Sequence, residues 1–319
     1  MRFAMLPKAW PAVVSALESA GHEQASLEEA EFVVFNGDGP DFPDLPAGVK
    51  YVQTATAGVD GLREAGLLSD RVRWANAAGL YSDSVAEGTL GLMLGAAHMY
   101  KLVTARASWD VAKKIQYESQ FLYEDKTVMI VGAGGIGLRL MELLEPFGCE
   151  VIAVNKSGRA VPGARETYPM EQVRSEPELW GRADFVVLLA PLTEETRGLV
   201  DADVLGHMKQ TALLINAGRG GLVNTDDLVD ALREGVIAGA GLDVMEPEPL
   251  PDGHPLWGLE NCLITPHTTN TIPIMKKRLG ALAVRNAELF AAGERMETEF
   301  DPEAGYYAYS RRRCHEEAI

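Results

Sequence analysis

The run Val128-Met129-Ile130-Val131-Gly132-Ala133-Gly134-Gly135-Ile136-Gly137 constrains this chain more than any other stretch. Four apolar residues enter a G-x-G-x-x-G turn. Leu138-Arg139-Leu140-Met141-Glu142-Leu143-Leu144 then follows, apolar at helical spacing. Strand, tight turn and helix in that order are the setting a dinucleotide-binding loop requires. Gly132 lets the strand turn sharply, Gly134 lets the backbone approach a pyrophosphate, and Gly137 lets the helix lie on the strand. The helix start at Gly135 and Ile136 supplies free N–H groups and a partial positive charge. The bland reading is a glycine-rich turn that binds nothing, and the flanks favour the nucleotide.

The rest of the chain alternates strand and helix. Arg2 to Leu6, Phe32 to Phe35 and Val49 to Gln53 read as strands of a small parallel α/β domain, with a helix over Lys8 to Ala20 closed by Gly21. Ser82 to about Ala107 reads as one long helix, opened by a capping box of Ser84 and Glu87. It is apolar around most of its circumference, which implies burial between two domains or two subunits. From Thr127 the alternation resumes, with strands Val128–Val131, Glu150–Asn155, Asp184–Ala190, Ala212–Asn216, Gly239–Val244 and Cys262–Thr265. Together they make a full doubly wound parallel sheet. From Asn270 a helix runs through Phe290 and is expected to pack back on the N-terminal domain. The tail Ser310-Arg311-Arg312-Arg313-Cys314 reads as a solvated end.

At 319 residues the chain suits two domains. Its 29 basic and 46 acidic side chains leave a net charge of −17. Nucleic acid and anionic membrane surfaces are therefore excluded as partners, and an anionic substrate must be drawn by local positive charge. Cys149, Cys262 and Cys314 are widely spaced, which fits a reducing, cytoplasmic compartment. No set of residues has metal-ligand spacing. The segment from Val85 to Val103 is interrupted by Glu87, His98 and Lys101, and reads as a buried helix rather than a membrane span.

Three ionisable residues follow apolar strands at the carboxyl edge where the glycine loop opens. Arg219 ends Leu213-Leu214-Ile215-Asn216-Ala217-Gly218-Arg219, and Glu248 follows Gly241-Leu242-Asp243-Val244. His267 follows Leu263-Ile264-Thr265-Pro266. Arginine can grip a carboxylate with two parallel hydrogen bonds. Histidine beside a carboxylate can exchange a proton near neutral pH. Taken singly they also read as a surface arginine, an acid in a proline-rich turn and a strand-end histidine. The loop Thr54-Ala55-Thr56-Ala57-Gly58-Val59-Asp60 follows a strand in the same manner and could hold an anion on its N–H groups. The remaining histidines (His22, His98, His207, His254, His315) read as surface or packing residues.

These segments closely resemble the D-isomer-specific 2-hydroxyacid dehydrogenases. The resemblance rests on Asn216-Ala217-Gly218-Arg219-Gly220, Gly241-Leu242-Asp243-Val244 with Glu248-Pro249, Pro255-Leu256-Trp257 and Thr265-Pro266-His267. Pro191-Leu192-Thr193-Glu194-Glu195-Thr196-Arg197-Gly198-Leu199, Val85-Ala86-Glu87 and Ala57-Gly58-Val59-Asp60 extend it from about residue 50 to 290. It implies hydride transfer between a nicotinamide cofactor and small 2-keto or D-2-hydroxy acids of the glyoxylate or hydroxypyruvate type. Arg219 would bind the substrate carboxylate and carbonyl, His267 would be the acid/base, and Glu248 would hold and charge it. Ala57, Gly58 and Val59 would cradle the carboxylate. The cofactor would meet Ala190, Pro191, Ala217, Gly218 and His267, with Asp243 facing the carboxamide. The implied fold is two Rossmann-like or flavodoxin-like parallel-sheet domains. A cofactor domain, 96–267, is inserted into a discontinuous substrate domain, 1–95 and 268–319. The resemblance also implies a homodimer formed through the cofactor domain, with the helix near Val85 involved.

Two departures within the family pattern narrow the expectation. An NAD-specific site places Asp or Glu about 20 residues beyond the glycines, on the ribose hydroxyls. Here that strand ends in Asn155-Lys156-Ser157-Gly158-Arg159, which favours NADP over NAD, because a carboxylate is replaced by groups able to bind a 2′-phosphate. The alternative is that these cations are ordinary loop charges. Formate dehydrogenases carry an amide at the position of Glu248, so its carboxylate argues against formate. A nucleotide-sensing binding protein or corepressor on the same fold is the second reading, and a methyltransferase-type cofactor loop the third. The third leaves Arg219, Glu248 and His267 without a purpose.

Overall fold

The computed structural model of the protein describes residues 1–123 and 125–303. The tail Ser310–Cys314 and His315 lie outside the described residues. The chain divides into two compact units, Met1–Tyr81 with the residues from Thr271 onward, and Ser82–Asn270. The junctions therefore stand at 81/82 and 270/271, where the sequence placed them at 95/96 and 267/268.

In chain order the first unit contributes β1 (Arg2–Leu6), β2 (Glu23–Gln24), β3 (Phe32–Phe35), β4 (Tyr51–Thr54) and β5 (Arg73–Ala75). The second contributes β6 (Thr127–Val131), β7 (Glu150–Asn155), β8 (Glu166–Pro169), β9 (Phe185–Leu188), β10 (Leu213–Asn216), β11 (Gly239–Leu242) and β12 (Cys262–Ile264). A final strand, β13 (Glu299–Phe300), returns to the first unit.

The sheet of the first unit runs β13-β5-β4-β3-β1-β2 and is parallel except for β13, which lies antiparallel to β5. Phe3, Phe32, Val34 and Tyr51 face one core with Trp10 and with Val13 and Leu17 of the helix Pro11–Ser19 that follows it. Leu279, Ala283 and Ala287 of the helix Ile272–Ala291 complete that core. The two helices meet closely: a Cβ on Gly280 would come within 2.9 Å of Ala16 Cβ. The C-terminal helix thus packs on the N-terminal segment as its pattern suggested. Ala4, Val33, Phe35, Val52 and Trp74 face the other core.

The second sheet runs β12-β11-β10-β9-β6-β7-β8, all parallel. Alternation along β6 sends Val128 and Ile130 to one core, Met129 and Val131 to the other. Both faces are covered, so the strands read as continuous apolar runs. The chain reverses its direction of travel across the sheet between β6 and β9. That switch point, at the carboxyl ends of the strands, is where ligands bind in open α/β sheets.

Three expectations are corrected. The sheet has seven strands, because β8 pairs with β7 although none of its residues is fully buried and it shows no apolar run. The long helix stops at Ala97, and a second helix, Tyr100–Arg106, begins after Met99 takes a left-handed φ of 54°. Ser84 is not an N-cap, since the helix begins at Ser82 and the Ser84 hydroxyl bonds Asn270 Oδ1 at 3.0 Å. The helix Ser82–Ala97 belongs to the second unit because it lies on that unit's sheet. A Cβ on Gly241 would stand 3.2 Å from Leu92 Cβ, and one on Gly95 would stand 2.5 Å from Leu263. Among the described residues, no helix is long and apolar enough to cross a membrane.

Candidate active site

The glycine loop does what its residue types suggest. Gly132 adopts φ +101°, and a Cβ there would stand 2.4 Å from the Ala190 backbone nitrogen. Only glycine permits both the turn and the approach of the next strand's loop. Gly137 sits 3.0 Å, measured from an added Cβ, beneath the Gly132 carbonyl, so the helix lies directly on β6. At Gly134 an added Cβ meets nothing within 4 Å, leaving open space over the helix start. No side chain caps the helix Gly135–Leu144. A missing cap costs about 1 kcal/mol. Burial of Leu140, Met141 and Leu144 returns about 1.5–3 kcal/mol each, so the helix stands with its first N–H groups free for an anion. This loop fits a dinucleotide pyrophosphate.

At the end of β7, Asn155 builds a turn. Its Nδ2 donates to the Arg159 carbonyl at 2.7 Å, and its Oδ1 accepts from the Ser157 backbone N–H at 3.1 Å. Lys156, Ser157 and Arg159 are exposed around that turn. No carboxylate stands at the strand end, so the turn presents two cations and a hydroxyl to solvent.

Beyond β9, Ala190 is buried against the glycine loop and Pro191 is exposed, its carbonyl accepting from Thr196 Oγ1 at 2.7 Å. Beyond β10, the buried Asn216 side chain folds the next loop. Its Nδ2 donates to Arg219 O at 2.9 Å and its Oδ1 accepts from Gly218 N–H at 3.1 Å. Ala217 N–H donates back to Leu188 O at 3.2 Å. Arg219 is thereby held half-buried, with Nη1 on the Gly218 carbonyl at 2.6 Å. A Cβ on Gly220 would stand 2.2 Å from Met245, so this loop and the one leading to Glu248 are in contact.

Asp243, 1% exposed, organises the loop that carries His267. Its carbonyl accepts the His267 N–H at 2.8 Å. Its Oδ1 accepts from Thr265 Oγ1 at 2.6 Å and from Thr268 N–H at 2.8 Å, and its Oδ2 from Thr269 Oγ1 at 2.7 Å. Thr269 can approach because the facing helix carries Gly88, where a Cβ would stand 2.7 Å from Thr269 Cβ. The loop arches around this buried carboxylate and sets His267 at φ +52°. His267 Nδ1 then stands 2.5 Å from Glu248 Oε1, with both side chains partly exposed.

The structure therefore joins Glu248 to His267, Asp243 to the His267 loop, and Gly132 to Ala190. Ala57, Gly58 and Val59 lie in the first unit, after β4. Sequence reasoning missed Asn216, Thr265, Thr269 and Gly88. A signal existed for Asn216, a polar residue closing the apolar strand Leu213–Ile215. The other histidines among the described residues make local contacts. His254 Nδ1 accepts from Leu256 N–H at 3.3 Å, His207 Nδ1 pairs with Asp203 O at 2.8 Å, His98 stacks near Tyr100, and His22 meets the edge of Phe32. Burial lowers the pKa of His22.

Comparisons with known proteins show the family. Residues 90–269 match the family model described as D-isomer specific 2-hydroxyacid dehydrogenase, NAD binding domain. An uncharacterized protein of Corynebacterium melassecola is 50% identical over 96% of this chain and 100% of its own length. The human glyoxylate reductase/hydroxypyruvate reductase is 33% identical over 79% of this chain and 77% of its own. Among solved structures, the D-isomer specific 2-hydroxyacid dehydrogenase of Xanthobacter autotrophicus Py2, in complex with NADPH and MES, superposes with a TM-score of 0.79. It is 27% identical and covers 96% of this chain and 99% of that one. The chain belongs to the D-isomer specific 2-hydroxyacid dehydrogenase family of NAD(P)-dependent oxidoreductases.

Proposed function

We propose that the protein is an NADP-linked reductase of small 2-keto acids, of the glyoxylate or hydroxypyruvate type, yielding D-2-hydroxy acids. The observation that carries this reading is the 2.5 Å Glu248–His267 pair at the carboxyl edge of a sheet whose glycine loop fits a dinucleotide. A ketone that gains hydride on carbon must gain a proton on oxygen, and an imidazole held by a carboxylate is the group to give it. The nicotinamide supplies the hydride when bound.

The roles we assign are these. His267 delivers the proton, and Glu248 orients the ring and balances its charge. Arg219 takes the substrate carboxylate and polarises the carbonyl. In the first unit, Ala57, Gly58 and Val59 receive the carboxylate on their N–H groups. Gly132, Gly134, Gly135, Ile136 and Gly137 hold the pyrophosphate, with Ala190, Pro191, Ala217 and Gly218 beside the cofactor. Asp243 Oδ2, which accepts only from Thr269 among the described residues, is the oxygen left to meet the carboxamide. Lys156, Ser157 and Arg159, on the turn that Asn155 braces, take the 2′-phosphate. Support comes from the human relative, a glyoxylate reductase/hydroxypyruvate reductase, and from the Xanthobacter protein in complex with NADPH.

We assign a homodimer through the second unit, because Trp109, Tyr117 and Tyr123 stand 92%, 79% and 68% exposed in its segment 100–123. Large aromatic side chains are enriched where a partner's surface covers them. A reducing, cytoplasmic compartment suits Cys149 and Cys262, which are unpaired thiols. The test is NADPH oxidation with glyoxylate, hydroxypyruvate, pyruvate and longer 2-keto acids. Turnover with the shorter acids supports the reading, and none with any of them overturns it.

A further inference from the structure

The carbonyls of the loop after β4 are all taken up from within the first unit. Tyr81 Oη donates to Ala55 O at 2.8 Å, and Thr54 Oγ1 and Ala77 N–H both donate to Thr56 O at 3.0 Å. Asn76 Nδ2 donates to Ala57 O at 2.8 Å, and Thr56 Oγ1 to Gly58 O at 2.7 Å. The N–H groups of Thr56, Ala57, Gly58 and Val59 have no acceptor among the described residues. A run of backbone whose acceptors are occupied and whose donors are free is polarised toward an anion.

One of the donors to those carbonyls, Asn76, belongs to a buried polar cluster that hydride chemistry does not use. Gln53, Asn76, Asn286 and Thr298 are 0%, 1%, 0% and 4% exposed. Gln53 Nε2 donates to the Thr54 and Asn76 carbonyls, and its Oε1 accepts from Asn286 Nδ2 at 2.6 Å. Asn286 Nδ2 also reaches Thr298 Oγ1 at 3.1 Å, and its Oδ1 accepts from Glu297 N–H. Thr298 Oγ1 closes the circuit on Asn76 O at 2.5 Å. The Asn76 amide plane is set by Ala78 N–H on Oδ1 at 3.0 Å, so Nδ2 points at Ala57. Buried amides are costly unless every group is paired, and a fully paired network admits one arrangement. These residues come from β4, the end of β5, the C-terminal helix and the approach to β13, so the network ties the loop to four separate elements.

We infer that Asn76, held through Gln53, Asn286 and Thr298, and Tyr81, which donates to the Ala55 carbonyl, are positioning residues that aim the N–H groups of Thr56–Val59 at the substrate carboxylate. The inference rests on the reading that this loop takes the carboxylate.

The test measures binding of oxamate, a carboxylate-bearing mimic of a 2-keto acid, to the NADPH complex by calorimetry, alongside KM and kcat for the best keto acid. Asn76→Asp and Tyr81→Phe each remove one donor to a loop carbonyl with little change of shape. Each should raise the oxamate Kd and KM on the order of tenfold, with kcat changed less than about threefold and NADPH affinity retained. Thr298→Val should weaken oxamate by several-fold, and Thr298→Ser, which keeps the hydroxyl, should restore it. Unchanged oxamate affinity in Asn76→Asp, Tyr81→Phe and Thr298→Val overturns the inference, as does equal loss in Thr298→Val and Thr298→Ser. Ala57→Glu, on an exposed position, separates the two claims. If it weakens oxamate while the network variants do not, the loop is the subsite and the network does not aim it. If it leaves oxamate binding intact, the carboxylate reading of the loop fails first.

Discussion

Glu248 Oε1 meets His267 Nδ1 at 2.5 Å, and the His267 backbone is held at φ +52° by the Asp243 carbonyl behind it. The pair leaves Nε2 as the ring nitrogen able to serve a substrate oxygen. His267→Ala should lower kcat on the order of 10²–10⁴-fold while NADPH affinity stays within about threefold. Glu248→Gln keeps an acceptor on Nδ1 and removes the charge. Its loss of kcat should be smaller than that of His267→Ala. Steady-state kinetics and fluorescence titration of NADPH check both.

Asp243 reaches the reaction through the loop it closes. Asp243→Ala would orphan the Thr265 and Thr269 hydroxyls and the Thr268 N–H, costing about 2–4 kcal/mol of stability. Gly88→Ala tests the same loop from the opposite side, since its Cβ would displace Thr269. It should lower kcat at least about tenfold. Thermal unfolding and kinetics on the two variants separate stability from positioning.

The glycines of the nucleotide loop should divide sharply. Gly132→Ala combines φ +101° with a Cβ 2.4 Å from Ala190 N and should cost about 2–4 kcal/mol together with NADPH binding. Gly134→Ala enters open space. It should cost under about 1 kcal/mol in stability yet weaken NADPH on the order of tenfold, because the new methyl occupies the approach of the pyrophosphate. Equilibrium unfolding and cofactor titration resolve the two effects.

Much of this was legible in the sequence. The strand Glu150–Asn155 has the limits its apolar run suggests, and the glycine loop, Arg219, Glu248 and His267 all follow apolar strands at one sheet edge. What was hidden depends on partners distant in sequence. β8 has no apolar face to announce it, and the helix breaks at Met99, a residue type that ordinarily continues a helix. Thr269 reads as an ordinary loop residue until Gly88 and Asp243 are placed beside it. The pairing of Asn286 with Gln53 likewise joins opposite ends of the chain, which no local pattern encodes.

Cofactor choice tests the turn after β7. NADPH should bind more tightly than NADH. The double variant Lys156→Ala, Arg159→Ala should weaken NADPH on the order of tenfold to a hundredfold and NADH by less than about threefold. Rising salt should narrow the difference, because both cations are exposed.

The most direct test is the configuration of the product. Hydroxypyruvate is reduced with NADPH by the wild-type protein, and the glycerate is resolved on a chiral column. D-glycerate, lost with His267→Ala, is the result predicted. L-glycerate, or D-glycerate formed equally well without His267, would contradict the account.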